Sequence, residues 1–276
     1  MVRLLQLWRL YASMDLLYLF RGPQVALTYY ISDLFVGLAA VTATLLLAER
    51  FDGIGAWSCP QVLFMLGYAL LVRAFIDCFF NYNLAFISRR IGRGQLDHLL
   101  IQPQPLWMAL ATEGFAPITG TGMLVPATFL LISSGRELDL PVSPAWCGLF
   151  AAYVLASIVI VLSFEYAWGS VAFWAPRAAE EINMRTWALL STLAPFPLDG
   201  LSGWALASLL TFVPVGLIAW YPSRALLGID PNAAGWALLP AAAMLFAAFA
   251  TWIFLRGLHH YGRTGSSRYL DYGHRR

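Results

Sequence analysis

The sequence has no lysine and few charged residues of either sign. All 17 Lys+Arg positions are arginine, and charged residues make up only 12 % of the 276 residues, against about 25 % in a typical soluble domain. Without lysine the chain cannot form a phosphate-binding loop of the G-x-x-x-x-G-K-[ST] type. Its three cysteines, Cys59, Cys78 and Cys147, have neither metal-binding nor redox spacing. The sequence also has no basic, aromatic face of the nucleic-acid-binding kind. We therefore expect no nucleotide site, no metal site, no catalytic residues and no nucleic-acid partner.

Apolar residues dominate what is present. They account for 60 % of the chain, and the mean hydropathy is +0.68. A composition this apolar and this poor in charge is typical of a membrane protein. We expect an all-α integral membrane protein with one membrane domain. Arginines are spread through the first 21 residues and no small-residue cleavage site follows, so we do not expect a signal peptide.

The first 23 residues have the pattern of an amphipathic helix that lies on the membrane surface. Polar residues recur at three- and four-residue steps on one face: Arg3, Gln6, Arg9 and Ser13. Apolar residues cover the other face, with Asp15 as the exception. Gly22-Pro23 ends this pattern before the first long apolar run.

Six apolar runs follow that are long enough to cross a membrane, since about 20 residues span about 30 Å of hydrocarbon. We place a membrane domain over 24–258 and a cytosolic tail over 259–276. The predicted spans are 24–48, 59–88, 106–133, 145–174, a fifth from near Arg185 to near Pro197, and 233–256.

The stretch from Trp187 to Gly228 is too long for one span and too short for two spans with a normal loop. Prolines and an Asp-Gly pair divide it. We predict a re-entrant hairpin over about 198–228, made of two short helices near 203–213 and 215–228. Non-helical backbone at membrane depth is tolerated only where protein or water covers it. An alternative makes 204–220 a seventh span, which would place the tail outside. The marker residues of the hairpin are Pro197, Asp199, Trp204, Pro214, Pro222 and Arg224.

The arginine distribution favours six spans with both termini in the cytosol. In that arrangement 13 of the 17 arginines lie on the inner side, as the positive-inside rule requires. The inner set is Arg3, Arg9, Arg21, Arg89, Arg90, Arg93, Arg177, Arg185, Arg256, Arg263, Arg268, Arg275 and Arg276. The outer segments hold only Arg50, Arg136 and Arg224, and Arg73 lies within the second span.

The most polar segment, residues 89–105, lies between two long apolar runs. Three arginines open it, Gly92 and Gly94 loosen the backbone, and Pro103 and Pro105 end it. The proline spacing leaves room for a short helix over about 92–102. Such a helix at the cytosolic mouth of a membrane domain suits docking onto a soluble partner. The alternative is an ordinary loop between two membrane helices.

Five ionisable residues fall within the predicted spans. They are Asp33, Arg73, Asp77, Glu113 and Glu165. An ionisable group in hydrocarbon costs about 2.5–3.5 kcal/mol on insertion scales, so each must pair or face water. Arg73 and Asp77 are four residues apart and can pair. Two hypotheses stay open for these residues: they line the inner part of a substrate path, or they pair with one another and hold the helices together.

Four stretches together resemble the permeases of the ABC-2 exporter class, in the branch whose ATPase is a separate chain. Gly94-Gln95-Leu96-Asp97-His98-Leu99-Leu100-Ile101-Gln102-Pro103 is similar to the family's G-x-(L/F)-D-x-L-L-x-x-P segment after span two. Residues 195–204 with the later prolines are similar to its outer hairpin. Residues 18–21 resemble its aromatic–arginine approach to span one. Residues 257–261 resemble its G-L-x-x-Y ending, although the serines that follow come late.

The resemblance implies half of an exporter in a bacterial cytoplasmic (inner) membrane. A dimer of ABC ATPase subunits would bind ATP and Mg²⁺, and a second permease, identical or different, would complete a path between spans one, two and five. The residues implied to contact the ATPase are Gly94, Gln95, Leu96, Asp97, His98, Leu99, Leu100 and Pro103, with Leu96, Leu99 and Leu100 as apolar anchors. Asp97 would fix the turn or pair with an ATPase arginine. A second inner loop, Pro176–Asn183, would add Arg177, Glu180 and Glu181, and residues 1–23 would form the family's connecting helix.

Two other classes of function stay open from the residues alone. An intramembrane lipid-modifying enzyme would need clustered catalytic groups at one depth, and the sequence offers only carboxylates there. An ion-coupled carrier usually shows inverted repeats and more spans. Membrane lipids are expected to contact the chain in every case.

Overall fold

The computed structural model describes residues 2–80, 86–117, 121–229 and 233–265, and most of them are helical. The strands among the described residues form one two-stranded hairpin, in which β1 pairs antiparallel with β2. The elements in chain order are α1 (Val2–Arg21), α2 (Pro23–Phe51), β1 (Gly53–Ile54), β2 (Trp57–Ser58), α3 (Cys59–Phe80), α4 (Ile87–Gly92), α5 (Leu96–Leu100), α6 (Leu106–Thr112), α7 (Leu124–Glu137), α8 (Pro144–Ser170), α9 (Pro176–Leu193), α10 (Gly203–Thr211), α11 (Trp220–Leu226) and α12 (Leu238–Thr264). Single 3₁₀ turns cover Val171–Phe173, Pro214–Leu217 and Ala233–Ala237.

Four of the six predicted spans are long apolar helices. They are Pro23–Phe51, Cys59–Phe80, Pro144–Phe173 and Gly235–Thr264. Proline in the first turn starts both α2 and α8, since its missing N–H has no helical partner there anyway. The Ser143 side chain also accepts a hydrogen bond from the Trp146 backbone N–H at the start of α8 (3.2 Å). The helix of the second span, α3, is described as far as Phe80, and its predicted continuation over 81–85 lies outside the described residues.

The third predicted span is not one continuous helix. The structure divides 106–133 into α6 and α7, with a non-helical stretch after Thr112. On the far side of this break, a side chain at Gly122 would lie 2.7 Å from the carbonyl oxygen of Tyr30 in α2. The break therefore brings the backbone of the chain against α2, which only a residue without a side chain permits.

The helix that contains most of the fifth predicted span begins at Pro176, earlier than the predicted start near Arg185. The second inner loop predicted over Pro176–Asn183 is instead the first half of α9, a single helix that starts at Pro176. Proline at the first helical position is compatible with a helix start, so it does not mark a loop here. Because its first half carries charged residues, α9 is not among the apolar helices that could span a membrane by composition alone. The total of six spans stays a prediction.

The predicted hairpin consists of two short helical pieces, as expected. Gly203–Thr211 and Pro214–Leu226 meet at an angle of 70°. Within the second piece the Leu217 carbonyl oxygen accepts a hydrogen bond from Ser157 Oγ in α8 (3.4 Å), and Ser157 in turn contacts the Tyr68 hydroxyl of α3 (3.1 Å). The hairpin thus reaches buried residues well inside the bundle.

The N-terminal segment forms α1 as one helix. Its half-buried residues, Leu4, Leu7, Trp8, Tyr11 and Asp15, recur at helical spacing and face the bundle. Trp8 donates a hydrogen bond to the Ala111 carbonyl oxygen of α6 (3.4 Å). Asp15, the one exception in the apolar pattern, therefore faces protein.

Two ends of the bundle can be distinguished. The arginine-rich end contains α4, α5, α6, the 3₁₀ turn Val171–Phe173, the start of α9 and the end of α12, packed around a small apolar core of its own. The tryptophan-rich end contains the β-hairpin, the start of α8 and α11. Between them, α12 packs along α8 and α3 packs along α7.

The end of α12 packs on Phe173 with no space left. A side chain at Gly257 would overlap the Phe173 ring, and that ring also packs against Phe254 and Tyr261. Glycine therefore allows α12 to reach the arginine-rich end at this point.

Replacing Gly257 tests this contact. Gly257→Ala should lower the stability of the purified chain by about 1–3 kcal/mol, because an added methyl group overpacks a filled site. The matched control is Gly262→Ala on the same helix, where nothing lies near the added atom. The control should be neutral or slightly stabilising, since alanine favours helix by about 1 kcal/mol over glycine. Thermal unfolding in detergent measures both, and equal melting temperatures for the two variants would contradict the packing argument.

Candidate functional site

The short helix predicted in the segment 92–102 is present as α5, Leu96–Leu100. Gly94 makes the turn into it with a positive φ of 68°. The Gly94 N–H donates to the Ile91 carbonyl (3.1 Å) and the Gln95 N–H donates to the Arg90 carbonyl (2.9 Å). These two bonds form a Schellman motif that ends α4, and glycine is favoured at its left-handed position. Gly94 and Gln95 thus fix the direction in which α5 leaves α4.

Two of the predicted apolar anchors point into the protein itself. Leu96 is 0 % exposed and Leu99 is 4 % exposed. Both lie in the core of the arginine-rich end, with Ile87, Phe173 and Tyr261. They are therefore covered by this chain and cannot be the atoms that a partner touches. Their burial holds α5 in place.

Asp97 has a partner within the chain. Its carboxylate accepts a hydrogen bond from the Tyr261 hydroxyl near the end of α12. This bond joins two residues 164 positions apart in the sequence. This bond is neither of the two roles expected for Asp97: it holds α5 to another helix and does not fix the turn, and pairing with an ATPase arginine stays a prediction.

The opposite face of the segment is exposed. It presents Arg93, Gln95, His98, Leu100, Ile101 and Pro103. Ile101 is 81 % exposed and Leu100 is 44 % exposed. An apolar pair ringed by polar groups on a fixed helix is the usual composition of a protein contact.

Ion pairs attach α4 to its neighbours. Arg89 pairs with Glu180 of α9 (3.1 Å), and Arg90 pairs with Glu113 at the end of α6. Glu113 therefore belongs to the arginine-rich end and not to a cluster within the spans. Burial and the negative charge of Glu113 raise the pKa of nearby Tyr11 in α1, while Arg90 opposes this.

The other predicted contacts of the second inner loop lie on the exposed side of α9. Arg177 and Glu181 are exposed, and Glu181 pairs with Arg185 one turn later (2.6 Å). Glu180 is half-buried because it faces Arg89. Only part of this predicted surface is therefore accessible.

Glu165 lies at the centre of a buried polar network. It is 0 % exposed. Its Oε2 accepts from Asn183 Nδ2 (2.5 Å) and from Thr186 Oγ1 (3.1 Å). Asn183 Oδ1 in turn accepts from Ser88 Oγ of α4 (2.8 Å). The network joins α8, α9 and α4 without any of the other residues of the predicted cluster.

Arg73 and Asp77 pair as predicted, at 3.0 Å on one face of α3. Arg73 also donates to Ser191 Oγ of α9 (3.1 Å), and its guanidinium lies 4.6 Å from the centre of the Trp187 ring. Of the five predicted residues, the structure therefore pairs Arg73 with Asp77 and places Glu113 and Glu165 elsewhere. Asp33 of α2 lies beside Gly122.

A small cavity of about 90 Å³ adjoins Arg73. It lies between α2, α3, α8 and α9, and most of its lining is apolar. Arg73 and Ser191 supply its polar atoms, and Gly37, Met123, Trp187 and Ile218 are among its other lining residues.

Asp199 is the hub of the hairpin. Its carboxylate accepts hydrogen bonds from Trp57 Nε1 (2.5 Å) and Trp220 Nε1 (2.8 Å), and it pairs with Arg224. Pro214 and Pro222 are buried beneath it, whereas Trp204 is 91 % exposed. The hairpin residues predicted from the sequence thus include Asp199 and Arg224, whose contacts hold the hairpin in place, and Trp204, whose side chain is exposed.

Sequence reasoning did not assign a role to Asn183 or Ser88. Each acts only through a partner distant in sequence, so no local pattern marks it. Tyr261 did carry a signal, since it ends the G-L-x-x-Y stretch, but the sequence did not show what it binds.

Comparison with known proteins gives one match. A family model described as ABC-2 family transporter protein matches residues 34–265. No curated protein and no solved structure matches the chain.

Removing the amide of Asn183 tests the buried network. Asn183→Ala should cost about 1–3 kcal/mol of stability, because it leaves the buried Ser88 hydroxyl and Glu165 carboxyl without this partner. Arg185→Gln is the control on the same helix. It breaks an exposed pair, and such changes stay within about 0.5 kcal/mol. Thermal unfolding compares the two, and an Asn183→Ala melting temperature equal to that of the control would refute a stabilising role.

Proposed function

Because the chain belongs to the ABC-2 transporter family, we propose that it is the permease subunit of an ATP-driven exporter and forms half of the translocation path. ATP hydrolysis is then the task of a separate ABC ATPase dimer, which binds ATP and Mg²⁺. A second permease, either another copy or a different chain, completes the path. The absence of lysine supports this division of labour, since it rules out a Walker A loop in this chain.

The observation that carries the proposal is the exposed face of α5. The helix is too short to be stable alone, yet buried leucines and the Asp97–Tyr261 bond fix it from below. What remains outside is Leu100, Ile101, His98 and Gln95. A short helix fixed in this way, with an apolar pair at its tip, suits a cleft on a soluble ATPase.

Movement of α5 has two routes into the membrane domain. One runs through Tyr261 into α12, which packs along α8. The other runs back through α4 to α8 and α9, by way of Ser88, Asn183 and Glu165. ATP binding would shift the equilibrium between conformations by pulling on these contacts.

The translocation path is proposed between α2, α3 and α9. Three observations support this. A cavity lies beside Arg73, Arg73 makes a second contact with Ser191, and the break before α7 places Gly122 directly against α2. Here the bond from Arg73 to Ser191 holds α3 and α9 together, and both residues also supply polar groups to the cavity.

In this proposal the arginine-rich end faces the cytosol of a bacterial inner membrane. The positive-inside rule supports that orientation. The pieces α6 and α7 together form the third crossing, α9 forms most of the fifth, and the hairpin of α10 and α11 is re-entrant from the outer side. The contact of the hairpin with Ser157 supports re-entry, because a surface hairpin would not reach that residue.

Charging the exposed tip of α5 tests the docking face. The double variant Leu100→Asp, Ile101→Asp should abolish co-purification of an ATPase from native membranes, because carboxylates replace the apolar pair at the proposed contact. The thermal stability of the variant should match that of wild type, since neither side chain is buried.

The control places a new carboxylate at the other end of the bundle. Val142→Asp changes an apolar residue that is 70 % exposed, and it should leave ATPase recovery unchanged. Full recovery of the ATPase with the double variant, or no ATPase in the wild-type preparation, would overturn the docking proposal.

Removing one hydroxyl tests the route through α12. Tyr261→Phe deletes the bond to Asp97 but keeps the ring packed on Phe173. The ATPase should still co-purify. In wild type, trapping the ATPase with ATP and vanadate should alter amide hydrogen exchange in residues 254–264, and Tyr261→Phe should reduce that change. Tyr18→Phe, at an exposed tyrosine of α1, is the control. An undiminished response in Tyr261→Phe would exclude this route.

A further inference from the structure

The end of α12 carries a basic stripe that the proposed transport mechanism does not use. Trp252, Arg256, His259 and Arg263 follow one another at steps of four, three and four residues, so they lie on one face of the helix. All four are exposed. They point away from the bundle, on the side opposite Phe254 and Tyr261, which are buried.

This stripe forms one wall of an open groove of about 800 Å³. The other wall includes Trp174, which stacks on His260 with ring centres 5.7 Å apart. The Arg256 guanidinium lies 4.6 Å from the centre of the Trp252 ring. No carboxylate lines the groove among the described residues. It therefore concentrates hydrogen-bond donors and positive charge with no acidic group to neutralise them.

The groove also continues into an apolar strip. Leu245, Phe249, Trp252 and Leu255 are exposed in the preceding turns of α12. At about 1.5 Å per residue, Arg256 is roughly one and a half turns from Tyr261, which reaches the level of α5 through Asp97. The basic groups thus lie where the apolar surface of the bundle gives way to its arginine-rich end, with a tryptophan at the boundary. Tryptophan is enriched at that depth in membrane proteins.

We propose that this groove binds the phosphate headgroup of an anionic phospholipid from the leaflet on the arginine-rich side. Arg256 and Arg263 hold the phosphate oxygens, since a guanidinium donates two parallel hydrogen bonds to such a group. The imidazole of His259 supplies a further donor. An acyl chain then lies along Phe249 and Leu245. This continuity of basic and apolar surface favours a lipid over a soluble protein, which would leave the apolar strip uncovered.

Native mass spectrometry of the purified full chain tests the site. The protein is equilibrated in micelles that contain equal amounts of phosphatidylglycerol and phosphatidylethanolamine, and the retained lipids are counted. Wild type should retain phosphatidylglycerol in preference. Arg256→Gln, Arg263→Gln should reduce that preference by about tenfold or more, since each basic residue near an anionic surface contributes about fivefold.

The charge-matched control is Arg50→Gln, Arg136→Gln, which removes two exposed arginines away from the groove. It should keep the wild-type preference. Arg256→Lys, Arg263→Lys preserves the charge and should retain most of the binding, so it separates loss of the site from loss of the fold. An excess of glycerol 3-phosphate should not displace the retained lipid.

Three outcomes would overturn the proposal. The glutamine pair could retain phosphatidylglycerol as wild type does. Glycerol 3-phosphate could displace the lipid, which would make a soluble phosphate the ligand. The glutamine pair could lose a co-purified ATPase while its lipid preference stays unchanged, which would assign the groove to a protein partner. The first and second outcomes leave the α5 docking proposal untouched.

Discussion

The cost of placing charge in an apolar bundle governs this structure. Water cannot solvate a carboxylate or guanidinium there, so each must find a protein partner or lose several kcal/mol. Inside the bundle, Arg73 pairs with Asp77 on its own helix and donates to Ser191 of α9, and Glu165 accepts from Asn183 and Thr186 of α9. Nearer the two ends of the bundle, Arg90 pairs with Glu113 and Arg224 pairs with Asp199. Apart from Asp77, these partners come from different segments, so satisfying the charges also fixes the relative position of two or three helices.

Packing within the chain explains how a five-residue helix keeps one position. An isolated helix of that length is unstable in water. Here its backbone is positioned by the Schellman turn at Gly94, its leucines lie in a shared core and its aspartate is bound by Tyr261. The other side chains face outward. Rigidity on one face and exposure on the other arise from the same packing, and in the proposed mechanism this combination would let a force applied to α5 reach α12 and α4.

Arg73 both joins two helices and faces a cavity. It joins α3 to α9 through Ser191 and Trp187, it pairs with Asp77 on its own helix, and it lines the cavity between α2, α3 and α9. Any change in the angle between these helices alters both the contact and the cavity. The predicted alternatives for the charged cluster, a substrate path or a lock between helices, are therefore compatible with each other at this residue. By contrast, Glu165 contacts Asn183 and Thr186 of α9, and Glu113 pairs with Arg90 of α4.

The sequence by itself determined the membrane class, four long apolar helices, the short helix between Gly94 and Pro103, the divided hairpin and the Arg73–Asp77 pair. Each depends on composition, on local periodicity or on residues within one or two turns, which the chain order displays directly. Only the tertiary structure decided that Leu96 and Leu99 face inward and that Asp97 binds Tyr261. It also decided that α6 and α7 are separate helices and that Pro176 begins α9. The sequence pattern of a leucine on a short amphipathic helix is the same whether its side chain is buried by the chain itself or by a partner protein. The covering residues, Phe173 and Tyr261, lie far along the sequence, so the direction in which those leucines face follows from how distant helices pack.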